Sequence, residues 1–272
     1  MIMQSTMIFD MMAPTYDADF TVSQTGRLQR RRVWSYLHPL LQEKGRSLRV
    51  LEINCGTGKD ALKLGALGHE VIATDASSQM IEKANEKLNG PQAAAGNVKF
   101  MVSSFNELSD LFAGEKFDLV FSNFGGLNCI DKKELQQLAT DLGGMIKEDG
   151  NIFLVLMAPC CLREIIHYSL RGKFKTAFRR LSGKAAFTVN ENTMPVYYYR
   201  PGTIKNIFGK AFYGFQKHPV GLFIPPSYLE EKFKNKPKKL ERLYHREENF
   251  CPSSFSSLAD HYCIIFKKTA AN

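Results

Sequence analysis

The stretch Val50-Leu51-Glu52-Ile53-Asn54-Cys55-Gly56-Thr57-Gly58-Lys59-Asp60 constrains this chain more than any other. Apolar strand formers enter a turn holding two glycines. Lys59–Leu67 leaves it with helix propensity, up to Gly68 as a C-cap residue. The alternation then continues. Val71–Thr74 reads as a strand, followed by a helix from Ser77 to about Leu88 and a loop over 89–96. Val98–Val102 and Phe117–Ser122 read as strands, with weakly helical sequence around Glu107–Phe112 between them. Asp131–Ile146 is a helix that Asp131 caps, and Asn151–Ala158 is a buried strand. Apolar strands separated by helices predict an α/β fold: an open parallel sheet covered on both faces.

The remaining segments frame that unit. Residues 17–44 carry Leu28, Val33, Leu37, Leu40 and Leu41 at near-helical spacing, so 1–44 reads as an N-terminal helical lid segment. Beyond Pro159 the pattern changes to a basic, helical cap insertion over 159–193. Then come Met194–Tyr199, a helix at Pro201–Gly209, a sixth strand at Ala211–Lys217, two Lys-rich helical stretches and a last strand at Asp260–Lys267. One domain over 1–272 suits a chain of 272 residues.

Hydrophobic residues make up 44% and charged residues 23%, which excludes disorder and fibrous repeats. No apolar run approaches the ~18 residues of a membrane span. Met1–Pro14 has no basic flank and contains Asp10, so it does not read as a signal peptide, and the expected location is cytoplasmic. The six cysteines show no CxxC spacing and read as free thiols, with no metal site. The net charge of +9 is uneven: Leu162–Lys184 holds seven basic residues against one acid. Such a surface favours an anionic partner, either the acceptor of a reaction, a carrier protein or a lipid surface touched peripherally through 162–184.

The glycine turn admits two nucleotide readings. Gly56-x-Gly58-x-x-Ala61 fits a loose dinucleotide pattern, and Asp75, seventeen residues past Gly58, suits the two hydroxyls of a ribose. Glu52 decides between them. An acid before the turn repels a pyrophosphate and tolerates a cationic amine, which favours S-adenosylmethionine over a nicotinamide dinucleotide.

These residues resemble the class I S-adenosylmethionine-dependent methyltransferases of the small-molecule type. Leu51–Gly58 resembles that family's glycine motif, with Asn54 at a position where glycine is usual. Val71–Met80 resembles its ribose motif, Phe117–Phe124 its strand-four motif, and Phe9-Asp10-x-x-Ala13-x-x-Tyr16-Asp17 its opening segment. The resemblance implies a Rossmann-like open sheet of seven strands, mostly parallel with an antiparallel last strand. It also implies that S-adenosylmethionine, leaving as S-adenosylhomocysteine, is held by Tyr16, Arg30, Glu52, Asn54, Cys55, Gly56, Thr57, Gly58, Asp75, Ala76, Met80, Ser104, Phe105, Asn123 and Phe124. Ser104 stands where relatives carry an acid for the adenine amine, passing that contact to its hydroxyl or to the Phe105 backbone.

Ligands of open α/β sheets bind beyond the carboxyl ends of the strands. With a parallel sixth strand, that rule makes His218 the best-placed titratable group, hence the candidate base for a hydroxyl acceptor. The expected reaction is in-line methyl transfer to a small molecule, anionic, aromatic or carrier-bound, most naturally at oxygen. The rival classes are a nucleic-acid methyltransferase and a cofactor-binding regulator without turnover. Ser122-Asn123-Phe124-Gly125 lacks the two prolines of base-amine methylases, which disfavours nucleic acid as the partner. Sequence leaves the oligomeric state open.

Overall fold

The computed structural model describes the chain apart from residues 1, 91–96, 210, 211, 213, 234 and 269–272. The expected loop across 91–96 and the first residues of the expected sixth strand therefore lie outside the described residues. The strands are β1 Arg49–Ile53, β2 Glu70–Asp75, β3 Val98–Val102, β4 Phe117–Ser122, β5 Ile146–Met157, β6 Lys184–Val189, β7 Asn192–Tyr197, β8 Gly214–Val220 and β9 His261–Lys267. Seven of them form one sheet in the order β3-β2-β1-β4-β5-β9-β8, and β6 and β7 pair as a separate hairpin. β1 through β5 are mutually parallel, and β9 lies antiparallel to both its neighbours. β8 therefore runs in the direction of the parallel set. The seven-stranded α/β sheet with one antiparallel strand is the architecture expected from the sequence.

The helices are α1 Ile2–Met12, α2 Gln24–Lys44, α3 Lys59–Ala66, α4 Ser78–Leu88, α5 Leu108–Leu111, α6 Lys132–Met145, α7 Leu162–Ser169, α8 Phe174–Ala177, α9 Pro201–Phe208 and α10 Pro237–Asn249. Side chains alternate between the sheet's two faces, as the pleat requires. Leu51 and Ile53 of β1, with Ile152, Leu154 and Leu156 of β5, pack on one face beside α5, α6 and α9. Val50, Phe153 and Val155 pack on the other beside α2, α3 and α4. The insertion after β5 departs from the expected helical cap, because only α7, α8 and a 3-10 turn are helical before the hairpin begins. Phe187-Thr188-Val189 is β-branched and aromatic, and Asn190 accepts a φ of 53° at the turn. That chemistry favours a hairpin over a helix.

One ionic knot sets the register of the strands that carry the site. Asp118, at the start of β4, accepts the Arg49 backbone N–H of β1 at 2.8 Å and is paired with Arg46 at 2.6 Å and Lys147 at 3.0 Å. Burial opposes its ionisation, but these three donors outweigh burial and hold its pKa down at about 2. A carboxyl depressed in the folded state stabilises above its unfolded pKa and loses that contribution as pH falls toward 2. Asp118→Asn is therefore expected to lower unfolding free energy at pH 7 by about 1–3 kcal/mol. In denaturant titrations the deficit against the parent should shrink steadily below pH 4, and a deficit independent of pH would exclude the knot as its source.

Candidate active site

Beyond the carboxyl ends of β1, β2 and β4 the glycine turn walls a cavity, and its backbone is bonded internally. Cys55 N–H donates to the Thr74 carbonyl at 2.9 Å and Gly58 N–H to the Cys55 carbonyl at 3.0 Å. Gly56 N–H donates to Asp75 Oδ2 at 2.8 Å. Asp75 also accepts the Ser77 N–H at 2.9 Å. A carboxylate thus occupies one amide of the turn that a pyrophosphate would need. Burial pushes the Asp75 pKa up, against the pull of these N–H groups.

The two glycines of the turn do different things. Gly56 has φ 53° and faces the cavity, where a Cβ would come 3.6 Å from the Tyr16 ring. Gly58 does not line the cavity. At φ 76° it backs onto β3 and α4, and a Cβ would lie 2.5 Å from Phe100 and 2.9 Å from Ala84. Its glycine is required for packing rather than for a ligand.

Glu52 is buried at the end of β1, and its Oε2 has no hydrogen-bond partner. Burial first, and then the neighbouring Asp60 and Asp75 charges, push its pKa well above the usual carboxylate range. Asp60, in the first turn of α3, is the hub beside it. It accepts from Trp34 Nε1 at 2.7 Å and Asn123 Nδ2 at 2.8 Å, and Arg30 Nη1 pairs with it. Arg30 also lies 5.1 Å from the Phe124 ring centre. Arg30 thus reaches the cavity with much of its charge already engaged. Asn54 takes φ 52° and turns its amide toward β4, donating to the Asn123 carbonyl at 2.9 Å and accepting from Ser122 Oγ at 2.6 Å. That side chain fills the space beside Gly126, where a Cβ would lie 2.4 Å from it.

Of the expected cofactor residues, Tyr16, Arg30, Glu52, Asn54, Cys55, Gly56, Thr57, Asp75, Ala76, Met80, Ser104, Phe105, Asn123 and Phe124 line this one cavity. Ser104 spends its hydroxyl and its N–H on Glu107 Oε2, at 2.8 and 2.6 Å. Phe9 of the opening motif also lines the wall, with Ser5, Thr6, Ser103 and Cys129, which carry no sequence signal. The N-terminal segment roofs the cavity through two acids of the opening motif. Asp10 accepts from Ser77 Oγ at 2.5 Å and Gln79 N–H at 3.2 Å, and Asp17 accepts from Thr57 Oγ1 at 2.6 Å and pairs with Lys87. Burial pushes the Tyr16 hydroxyl up to about 12.

A second cavity adjoins the first through Phe9, Tyr16, Arg30, Phe124 and Cys129, which line both. Its further walls are mostly apolar: Met12, Phe20, Met157, Phe187, Met194 and Val196, with Gln29, Ser227 and His261 as polar members. His218 is not among them. It lies within β8, opposite Cys263, stacked 4.4 Å from Tyr36 under α2, and burial lowers its pKa. The expected base is therefore a packing residue, because its side chain leaves the sheet toward α2 before the strand's carboxyl end is reached. Two of the seven basic residues of 162–184 are engaged by acids, Arg180 buried and Arg179 partly exposed. Arg180 pairs with Glu164 at 2.9 Å and Asp260 at 2.8 Å, and Arg179 pairs with Glu164 at 2.7 Å.

Comparison with known proteins bears on this arrangement. Residues 50–150 match a family model described as a methyltransferase domain. The chain is 32% identical over 94 residues to tRNA 5-carboxymethoxyuridine methyltransferase of Escherichia coli (strain K12), covering 34% of this chain and 36% of that protein. It is 30% identical over 148 residues to demethylmenaquinone methyltransferase of Clavibacter sepedonicus, covering 53% and 56%. The chain thus spans about a third to a half of the length of these curated relatives. A crystal structure of magnesium protoporphyrin IX methyltransferase from Synechocystis PCC 6803 with bound SAH shares the fold, with TM-score 0.57, 15% identity, and coverage of 90% and 86%. A S-adenosylmethionine-dependent methyltransferase from Clostridium acetobutylicum ATCC 824 does so too, with TM-score 0.57, 14% identity, and coverage of 88% and 92%.

Asp60→Ala strands the Arg30 charge and two buried donors. We expect it to cost about 3–5 kcal/mol of unfolding free energy, the usual penalty for removing one partner of a buried pair. Trp34, the one tryptophan of the chain, reports the transition by fluorescence. A loss under about 1 kcal/mol, the level of an exposed ion pair, would show that the hub is dispensable.

Proposed function

From a chain that carries a class I methyltransferase domain, we propose an enzyme that transfers the methyl group of S-adenosylmethionine to a small apolar molecule, at oxygen. The observation that carries the first part is the unpartnered Glu52 Oε2, buried among acids with its neighbouring cation already committed to Asp60. A site with that surplus of acid is completed by a cation, and a sulfonium amino acid brings an ammonium group with it. Glu52 would receive that amine. Asp75 would take the ribose hydroxyls on its remaining lone pairs, and Met80, Ser104 and Phe105 would border the base. Tyr16 and Phe9 would close over the whole.

When bound, the sulfonium supplies an activated methyl group and a neutral thioether as leaving group. The protein's task is then to align the acceptor and exclude water. The N-terminal roof does the second through the Asp10 and Asp17 clips. The mostly apolar second cavity does the first, and its walls favour an apolar guest over the phosphates of RNA.

A further observation favours an acceptor drawn from a lipid surface. The insertion after β5 leaves its apolar residues outward instead of packed: Leu170 is 81% exposed and Phe174 60%, with Ile166, Phe178 and Leu181 alongside. Arg171, Lys173 and Lys175 interleave with them. Exposed apolar side chains among cations match an interfacial segment, which lies on a bilayer without crossing it. Among the described residues no helix is long and apolar enough to cross a membrane.

Two measurements test these readings. Calorimetry with S-adenosylhomocysteine should show binding, weakened in Asp75→Ala by about 1–3 kcal/mol, or roughly 5- to 150-fold; no heat from the parent protein would overturn the transferase reading. Sedimentation with vesicles of anionic lipid should pellet the parent and leave Phe174→Glu in solution. Equal pelleting of both would exclude this surface as the docking face.

A further inference from the structure

We propose that His261, oriented by Asp260, is the base that takes the proton from the hydroxyl of an apolar, phenol-like acceptor in the second cavity. This rests on the transferase reading and deepens it. His261 opens β9, and its register opposite Met157 of β5 and Val220 of β8 places it at the carboxyl edge of the parallel strands. The antiparallel strand delivers there with its first residue what a parallel strand delivers with its last. The imidazole lines the second cavity and meets the Phe124 ring edge-on, with centres 5.4 Å apart at 82°. Phe124 lines both cavities, so the histidine stands one aromatic ring from the cofactor side.

The other half of the device is buried. His261 Nδ1 is inaccessible and makes no hydrogen bond, but it lies within ion-pair distance, 3.2 Å, of Asp260 Oδ2. Asp260 is itself fixed by Gln29 Nε2 at 3.0 Å and Arg180 Nη2 at 2.8 Å, while Arg180 Nη1 donates to its carbonyl at 3.0 Å. Burial opposes its charge, yet Arg180, and His261 once it is protonated, hold the carboxyl well below the usual range. An anion at Nδ1 keeps the ring proton on that nitrogen and leaves the Nε2 lone pair for the cavity. Tyr16, whose hydroxyl is pushed up to about 12, keeps its own proton and cannot serve instead.

The presence of an oriented base selects the acceptor. A carboxylate or free amine attacks a sulfonium unaided, whereas a neutral hydroxyl gains from losing its proton. The acceptor O–H bond breaks, its electron pair stays on oxygen as the nucleophile, and the proton forms an N–H bond at Nε2. The resulting imidazolium is balanced by Asp260 and returns its proton to solvent on product release. Phe20, Met157, Phe187 and Met194 surround the site with apolar surface suited to an aromatic or isoprenoid body.

The test uses 4-nitrophenol, whose phenolate is yellow, added to the full chain saturated with S-adenosylhomocysteine at a pH where the free dye is mostly neutral. The expected result is a phenolate band that rises with saturation. In His261→Gln the band should be lost while S-adenosylhomocysteine affinity, which reports folding of that variant, stays unchanged. Dye that binds without a band, a band that persists in His261→Gln, or no binding of dye to the loaded protein would each overturn the proposal. The parent measurement decides even if the variant does not fold. Failure to bind S-adenosylhomocysteine at all would instead sink the transferase reading, and the base assignment with it.

Discussion

The site depends on buried negative charge held close together at one sheet edge. Glu52, Asp60 and Asp75 end or follow β1 and β2, and burial raises the cost of every charge among them. The chain meets that cost unevenly. Asp60 is satisfied by an indole, an amide and a guanidinium, and Asp75 by two backbone N–H groups. Glu52 retains an oxygen without a partner. The arrangement is stable because the hub absorbs Arg30, and it is receptive because the hub leaves Glu52 short of a cation.

The roof follows the same logic. Asp10 and Asp17 of the N-terminal segment each find a donor near the start of a helix that follows a strand end. Anions near helix N-termini are favoured, so the segment is drawn over the two turns that border the cavity. The roof is also held by a packed apolar seam, in which Ile8 is buried against Met194 and Val196 of the hairpin. The same segment supplies Phe9 and Tyr16 to both cavities.

The insertion after β5 couples the interior to the surface. Arg180 reaches inward to Glu164 and Asp260, while its chain neighbours Phe178 and Leu181 face outward. The hairpin that follows returns Phe187, Met194 and Val196 as walls of the second cavity. A single excursion of the chain thus pairs with Asp260, walls the second cavity and presents an apolar, basic exterior.

Local sequence determined the central unit. Apolar period-two runs, a glycine turn and acids at strand ends are short-range signals, and they located β1 to β5, the turn and fourteen of the residues that line the first cavity. Sequence could not separate Gly56 from Gly58, because only packing shows that one faces a ligand and the other Phe100 and Ala84. It placed the candidate base at His218 because it took a parallel strand's last residues as the ones at the site. In the fold His218 is stacked under α2, while His261, the first residue of the antiparallel β9, lines the second cavity. Likewise the basic run 162–184 was legible as charge, but which cations turn inward to Glu164 and Asp260 depends on acids 16 and 80 residues away from Arg180. Partners that distant along the chain leave no periodic trace, so folding alone decides them.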